Sequence, residues 1–155
     1  MRVTHSIPPV YDGNSEILIL GSFPSVKSRK AQFFYGHPQN RFWRVIAAVC
    51  GCDAPATIEE KKKMLLQNHI ALWDVIESCD IKGSSDSSIR NVNVNDFSRI
   101  LNAADIRRIF ANGTAAYNLY TKYVDKSITR LPSTSPANAA WNMERLIDAW
   151  RIILD

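Results

Sequence analysis

Short apolar segments alternate with segments of helical periodicity along this chain, and that alternation leaves few possible folds. Residues 16–20 and 70–76 form apolar runs typical of buried strands, and we expect a third strand at 106–111 and a short fourth one at 127–131. Because strands that alternate with helices pair in parallel and carry helices on both faces, the sequence predicts a doubly wound α/β fold. No repeat, low-complexity tract or linker divides the chain, so we expect a single domain over residues 1–155.

The sequence marks some predicted helices more clearly than others. Residues 40–50 carry apolar side chains on a helical period, and Thr57 begins a capping box that opens a second helix. The polar segment 78–93 predicts a loop, after which Asn95 can cap a short helix, and another helix is expected to begin at Thr114. The last helix is expected from an apolar stripe that steps by three and four residues, formed by Ala140, Met143, Ile147, Trp150 and Leu154.

Composition excludes several classes of protein. No run of about 18 apolar residues is present, and the first six residues lack the apolar core of a secretory signal, so we expect a cytoplasmic protein. Cys50, Cys52 and Cys79 are too few for a disulfide framework, and we expect inert thiols and no metal site. The sequence contains no P-loop, dinucleotide-binding glycine motif, zinc-protease motif or nucleophile elbow.

The carboxyl ends of the predicted strands carry unusual, mostly small or polar segments, at 21–25, 73–74, 112–113 and 133–136. The carboxyl ends of parallel strands meet at one edge of a sheet, and ligands of open α/β sheets bind at that edge. We therefore expect these four segments to converge on the functional site.

A basic and aromatic segment surrounds the first of these turns. Residues 17–52 contain no Asp or Glu, but they hold five basic residues, namely Lys27, Arg29, Lys30, Arg41 and Arg44. Six aromatic residues share the segment, namely Phe23, Phe33, Phe34, Tyr35, Phe42 and Trp43. Basic side chains interleaved with aromatic ones are typical of a surface that binds phosphates and stacks bases. The alternative is a solvated basic face beside a core cluster, and composition does not separate the two.

The segment 133–138 predicts an anion site. Ser135 can cap the last helix with Pro136 at its first position, which places the helix N-terminus at the sheet edge. Helix N-termini bind anions, and the basic segment makes a DNA phosphate the natural occupant. The alternative is a capped helix without a ligand.

Six segments together resemble the hypoxanthine-DNA glycosylase branch of the uracil-DNA glycosylase superfamily. They are residues 21–25, 35–43, 72–75, 83–86, 112–113 and 133–138, which follow one another over nearly the whole chain. The most specific are His-Pro-Gln-Asn-Arg-Phe-Trp at 37–43 and Ser-Thr-Ser-Pro-Ala-Asn at 133–138. The resemblance implies a three-layer α/β/α fold around a four-stranded parallel sheet. It also implies hydrolytic excision of hypoxanthine, the deaminated form of adenine, from DNA without a cofactor or metal, and we expect a monomer.

The resemblance assigns the catalytic role to Asn40, and Asp74 is the next candidate. We expect a pocket for the flipped base, lined by Ser22, Phe23, Phe34, Tyr35 and Trp73. One of its aromatic side chains, preferably Tyr35, should stack on the base. We expect DNA to contact Ser25, Lys27, Arg29, Arg41, Asn112, Gly113, Ser133, Ser135, Ala137 and Asn138.

The chain departs from the uracil enzymes of the superfamily at several positions. Phe23 lies where many members place a water-activating Asp or Asn, and Ser133 lies where the uracil enzymes place a His. Ala137 replaces their intercalating Leu, and Trp73-Asp74 replaces the Asn that reads uracil. Hypoxanthine is therefore the expected base, with two alternatives: excision of uracil or of a mismatched base, and binding of damaged DNA without catalysis.

The chemistry expected of Asn40 follows from its amide. A neutral amide is too weakly basic to act as a general base, but it can hold a water by its carbonyl oxygen and offer NH2 donors to the base or sugar. Because Asn40 opens a predicted helix, the simpler alternative is a helix cap. Lys27 and Lys30 lie in a basic stretch typical of an exposed surface, which argues against a Schiff-base mechanism.

Overall fold

The computed structural model describes all 155 residues, and its strands form two separate sheets. The strands are β1 (Arg2–Thr4), β2 (Ile17–Gly21), β3 (Ile70–Asp74), β4 (Ile76–Asp80), β5 (Arg90–Val94), β6 (Arg108–Asn112) and β7 (Thr129–Leu131). The α-helices are α1 (Val26–Ala31), α2 (Phe42–Cys50), α3 (Ile58–Gln67), α4 (Ser98–Leu101), α5 (Thr114–Tyr123) and α6 (Met143–Trp150). Short 3-10 helices occupy Asp86–Ser88 and Arg151–Leu154.

The larger sheet has the strand order β3-β2-β6-β7, and each neighbouring pair is parallel. Every residue of β3 is buried, so both faces of that strand are covered, as expected for a parallel sheet between helices. The predicted α/β fold around a four-stranded parallel sheet is therefore confirmed. None of the helices is both long and apolar enough to cross a membrane.

The strand registers align the carboxyl ends that carry the site. Gly21 pairs with Asp74 across β2 and β3, and Asn112 pairs with Leu131 across β6 and β7. The turns that follow these four residues therefore lie next to one another at one edge of the sheet.

A second, antiparallel sheet of order β1-β4-β5 differs from the sequence prediction. The predicted strand at 70–76 divides at Val75, whose amide donates to the carbonyl oxygen of Gly21, and the chain continues as β4 in the other sheet. The predicted loop at 78–93 is wrong at both ends, where β4 and β5 lie. Val92 and Val94 of β5 are half-buried and alternate with exposed Asn residues, so a period-2 signal was present in this polar segment.

Three predicted helix ends are also wrong. Asn95 does not cap α4, because its side chain donates 2.9 Å to the carbonyl oxygen of Asp74. Ser135 does not cap the last helix, which begins at Met143 after an Asn142 cap. Similarly, α2 begins two residues later than predicted, at Phe42.

The predicted cap of α3 and the predicted apolar stripe of the last helix agree with the structure to different extents. The Thr57 hydroxyl accepts a hydrogen bond of 3.1 Å from the Glu60 amide, so the predicted cap of α3 is confirmed. In α6 and the 3-10 helix that follows it, Leu146, Trp150 and Ile153 are buried. Ala140 and Leu154, which the prediction placed in the stripe, are exposed. The predicted stripe is therefore confirmed at Trp150 and at the half-buried Met143 and Ile147, but is wrong at Ala140 and Leu154.

Candidate active site

A cavity of about 310 Å³ opens at the carboxyl edge of the parallel sheet. Its lining comes from the turn after β2, the segments before α2 and around Asp86, and the turns after β6 and β7. The predicted convergence of the strand-end segments is therefore confirmed. Its volume lies at the small end of the range for ligand sites, which is suitable for a single nucleobase.

Gly21, Asp74 and Tyr35 lie close together in the wall of this cavity. A Cβ atom on Gly21 would lie 2.6 Å from Oδ1 of Asp74 and 2.9 Å from the Tyr35 hydroxyl oxygen, so only glycine leaves room here. Oδ2 of Asp74 is buried without a hydrogen-bond partner, and the Tyr35 hydroxyl is buried next to the Asn112 side chain without a hydrogen bond of ordinary geometry. Because buried polar groups usually have a partner, these two groups in the cavity wall are available to a ligand or a water molecule.

Burial sets the protonation of these groups. Burial, followed by the nearby charge of Asp86, raises the pKa of Asp74 to about 7. Burial also raises the pKa of the Tyr35 hydroxyl, which therefore stays protonated and can donate a hydrogen bond. The nearest histidine, His5, is kept neutral because burial lowers its pKa.

Asn40 lines the cavity, and hydrogen bonds fix the orientation of its side-chain amide. Its Oδ1 atom accepts 2.9 Å from the Phe42 amide and 2.8 Å from the Thr134 hydroxyl. A carbonyl oxygen has two lone pairs, so neither remains for a water molecule, and the expectation that Asn40 holds water through this oxygen is wrong. The bond to Phe42 is a local turn contact before α2, whose N-cap is Arg41, so Asn40 is not the cap of this helix and the helix-cap alternative is wrong.

The predicted aromatic residues do not all reach the cavity. Phe23, Phe34 and Tyr35 line it, whereas Trp73 does not and packs against Phe97 with ring centroids 5.7 Å apart. One face of the Tyr35 ring stacks on Phe42, with centroids 4.1 Å apart. Successive side chains of a strand point to opposite faces, which explains why Asp74 enters the cavity and Trp73 does not.

Four of the five basic residues of segment 17–52 fall into two groups. Arg41 donates to the carbonyl oxygens of Thr134, Ser135, Asn138 and Trp141, so its guanidinium holds the 134–141 loop together. Similarly, Arg29 donates 3.1 Å to the carbonyl oxygen of Gly83, and one of its nitrogens is buried.

Lys27 and Arg44 form the other group. Both are exposed and form no salt bridge, so they can reach a phosphate, whereas Arg29 and Arg41 are already engaged within the protein.

The loop after β7 is ordered by its own side chains. Ser133, Ser135 and Ala137 line the cavity, and the Ser135 hydroxyl accepts 3.1 Å from the Ala137 amide. Asn138 does not line it, because its side chain donates 3.0 Å to the carbonyl oxygen of Ser133.

The turn after β6 packs closely against this loop. Gly113 has a φ of +95°, and a Cβ there would lie 3.0 Å from Cβ of Ser133. A larger residue is therefore disfavoured both by the backbone conformation and by this close contact. Asn112 enters the cavity, and its side chain donates 3.0 Å to the Thr134 hydroxyl.

Two of the serines predicted to lie in the site form hydrogen bonds within the protein. Ser25 caps α1 by accepting 3.1 Å from the Ser28 amide, and the Ser22 hydroxyl donates 2.9 Å to Oδ1 of Asp86. Both serines line the cavity.

Eight further residues line the cavity but were not among the predicted site residues, namely Gly21, Pro24, Ser28, His37, Ser84, Asp86, Thr134 and Pro136. All of them except Ser28 lie inside the segments that carry the family resemblance, which was the available signal. No group of three or more His, Cys, Asp or Glu side chains is placed to hold a metal ion.

Known proteins resemble this chain in both sequence and structure. The profile of the uracil DNA glycosylase superfamily matches residues 8–153. A relative named hypoxanthine DNA glycosylase, from Methanosarcina acetivorans, is 38% identical over 147 residues, which cover 92% of this chain and 93% of that protein. A relative of the same name from Methanosarcina barkeri is 37% identical over 108 residues, 68% of each chain.

A solved structure agrees with the sequence relatives. It is a solution NMR structure of a candidate uracil DNA glycosylase from Methanosarcina acetivorans, with a TM-score of 0.80, 34% identity and full coverage of both chains. The match to the family profile extends over the parallel sheet and the residues that line the cavity at its edge. This chain therefore belongs to the uracil-DNA glycosylase superfamily.

Proposed function

We propose that this protein is a monofunctional DNA glycosylase that excises hypoxanthine from DNA by hydrolysis in base excision repair. Membership of the superfamily and two relatives named hypoxanthine DNA glycosylase support the reaction and the base. The structural observation that carries the proposal is the pair of buried polar groups of Asp74 and Tyr35, available to a ligand in a cavity of nucleobase size.

Asp74 and Tyr35 match the edge that deamination creates on a base. Hypoxanthine presents a ring N–H beside a C=O group, whereas adenine presents a ring nitrogen acceptor beside an amino donor. The Asp74 carboxylate can accept from the ring N–H, and the protonated Tyr35 hydroxyl can donate to the C=O group. The base must first leave the duplex, which costs a few kcal/mol and is easiest at a damaged or mismatched pair.

The reaction needs only oriented polar groups and a water molecule. The bond between C1′ of the sugar and N9 of the base breaks, and its electron pair leaves with the base. Water then adds its oxygen to C1′ and releases a proton that the base takes up, which leaves an abasic sugar. The Asn40 NH2 group can donate to the departing base, while the carboxylate of Asp86 favours the positive charge on the sugar.

Hydrolysis is favoured over a lyase mechanism by the cavity itself. Its lining contains no lysine, so no amine is at hand to form a Schiff base with the sugar. Outside the cavity, Lys27 and Arg44 are free to contact the DNA backbone. We expect the enzyme to act as a monomer in the cytoplasm.

An excision assay on three duplexes tests the proposal. They carry deoxyinosine, deoxyuridine or deoxyadenosine at one position, and abasic sites are detected by alkaline cleavage under single-turnover conditions. We expect excision of hypoxanthine, with no excision of adenine. Faster excision of uracil would make this a uracil enzyme. Binding of damaged duplexes without any cleavage would make it a non-catalytic DNA-binding module.

A further inference from the structure

We propose that Thr134 is a positioning residue, which holds the Asn40 amide with its NH2 group free for the cavity. This inference rests on the proposed glycosylase function. Thr134 is separated from Asn40 by 94 positions in the chain and is completely buried. Its hydroxyl lies between the side chains of Asn40 and Asn112, at 2.8 Å and 3.0 Å.

Asn112, Thr134 and Asn40 form a series of hydrogen bonds, and a backbone N–H donor at each end of the series fixes the direction of every bond in it. The Thr134 amide donates 3.1 Å to Oδ1 of Asn112, so the NH2 group of Asn112 must face the Thr134 hydroxyl. That hydroxyl accepts from Asn112, and its own hydrogen is then available for Asn40. At the other end, the Phe42 amide donates 2.9 Å to Oδ1 of Asn40, so the atom that receives the Thr134 hydrogen is the carbonyl oxygen.

Backbone contacts hold Thr134 in place against Asn40. The Arg41 amide donates 3.1 Å to the carbonyl oxygen of Thr134, and the Arg41 side chain donates to the same oxygen. The loop that carries Thr134 is therefore attached to the residue next to Asn40. Because the hydroxyl is excluded from water, no solvent molecule competes for its hydrogen bonds.

The consequence for catalysis concerns which end of the amide meets the departing base. An amide without this constraint can rotate by half a turn and present its oxygen, which repels the negative charge that develops on the base. Two hydrogen bonds to the Asn40 oxygen prevent that rotation and polarise the N–H donors. The stabilisation applies when charge develops, so Thr134 should affect the rate of excision more than the affinity for DNA.

Replacement of the hydroxyl tests this role. Thr134→Val keeps the shape and removes the hydrogen bonds, whereas Thr134→Ser keeps the hydroxyl and is the matched control. Both are assayed in single turnover on whichever base the wild-type protein excises, together with DNA affinity and melting temperature. We expect Thr134→Val to lose at least about 10-fold in rate with DNA affinity within about twofold, and Thr134→Ser to stay within about threefold of wild type.

Several results would overturn the proposal. One is a folded Thr134→Val protein with a wild-type rate, and another is a Thr134→Ser protein as slow as Thr134→Val. If Thr134→Val does not fold, Asn112→Asp replaces it, because a carboxylate there draws the Thr134 hydrogen away from Asn40 while it still accepts from the Thr134 amide. A wild-type rate in Asn112→Asp contradicts the inference.

A second measurement keeps the inference separate from the proposed function. If the wild-type protein excises no base, the glycosylase proposal fails, and NMR of the Asn40 side-chain NH2 signals decides the positioning question instead. We expect two resolved signals in wild type and in Thr134→Ser, and shifted or exchange-broadened signals in Thr134→Val. Identical signals in all three proteins would contradict the positioning role.

Discussion

Nε2 of His5 lies 3.8 Å from Oδ2 of Asp74, and both side chains are buried. The imidazole is not a compensating cation, because Nδ1 accepts from the Ile7 amide and Nε2–H donates 2.9 Å to the carbonyl oxygen of Ile76. This neutral tautomer explains why Asp74 has a pKa of about 7 despite its neighbour, since burial dominates and the other nearby charge, on Asp86, is also negative.

The first prediction is a pH dependence of excision. If the ionised Asp74 carboxylate accepts from the base, the single-turnover rate should rise with pH and level off above the pKa of about 7. Asp74→Asn should lower the rate at high pH and remove this rise. A rate that falls with increasing pH through this range would instead assign the protonated carboxyl as the active form.

The same pKa predicts an effect on stability with a defined sign. The folded protein holds the Asp74 proton more tightly than the unfolded chain, whose Asp has an ordinary pKa near 3.8, so stability falls as pH rises from about 4 to about 7. Asp74→Asn should therefore raise the melting temperature by several degrees at pH about 8 and have a smaller effect at pH about 4. Scanning calorimetry at both pH values measures the difference. Equal shifts would contradict the burial of an ionised carboxylate.

Gly21→Ala tests the part of the cavity beside Asp74 and Tyr35. The added methyl would lie 2.6 Å from Asp74 and 2.9 Å from the Tyr35 hydroxyl, so it should block the base and lower the excision rate at least about 10-fold. Gly13→Ala is the control, because its Cβ would have only an ordinary contact of 3.8 Å with the Ala103 carbonyl oxygen. If Gly21→Ala excises as fast as Gly13→Ala, the base does not enter this part of the cavity.

DNA affinity should depend on salt through exposed side chains. A double Lys27→Ala and Arg44→Ala variant should lower the slope of log affinity against log salt by about 2, because each phosphate contact contributes about 0.9.

Arg41→Lys should instead lower the melting temperature and leave the slope unchanged, because lysine keeps the charge but lacks the planar fork that reaches the loop carbonyls. Titrations at several salt concentrations and thermal scans separate the two groups of residues. An unchanged slope in the double variant would move the DNA surface elsewhere.

Asn40 itself can be tested with two substitutions. Asn40→Ala removes the NH2 donors and the acceptor oxygen, whereas Asn40→Asp keeps acceptors for the Phe42 amide and the Thr134 hydroxyl but has no NH2 group. Both should lose at least about 100-fold in single-turnover excision, which is about 2.7 kcal/mol of barrier, while DNA binding survives. Near wild-type excision by a folded Asn40→Asp protein would show that the NH2 group is not used.

Local sequence signals determined much of the architecture. The apolar run that ends at Gly21 predicts β2, and Thr57 with Glu60 predicts the start of α3, because strand burial and capping depend on residues close together in the chain. The motif segments likewise predict that Asn40, Asp74 and Ser135 lie at one edge of the sheet, and all three line the cavity there.

The tertiary structure determines which groups those side chains contact. Arg41 is a basic residue in the sequence, but distant carbonyl oxygens engage its guanidinium, and the direction of the Asn40 amide depends on Thr134. The pKa of Asp74 depends on how completely the fold buries it. Periodicity and caps arise from short-range sterics and hydrogen bonds, whereas burial and hydrogen-bond partners depend on segments that are far apart in the chain and meet only when it folds.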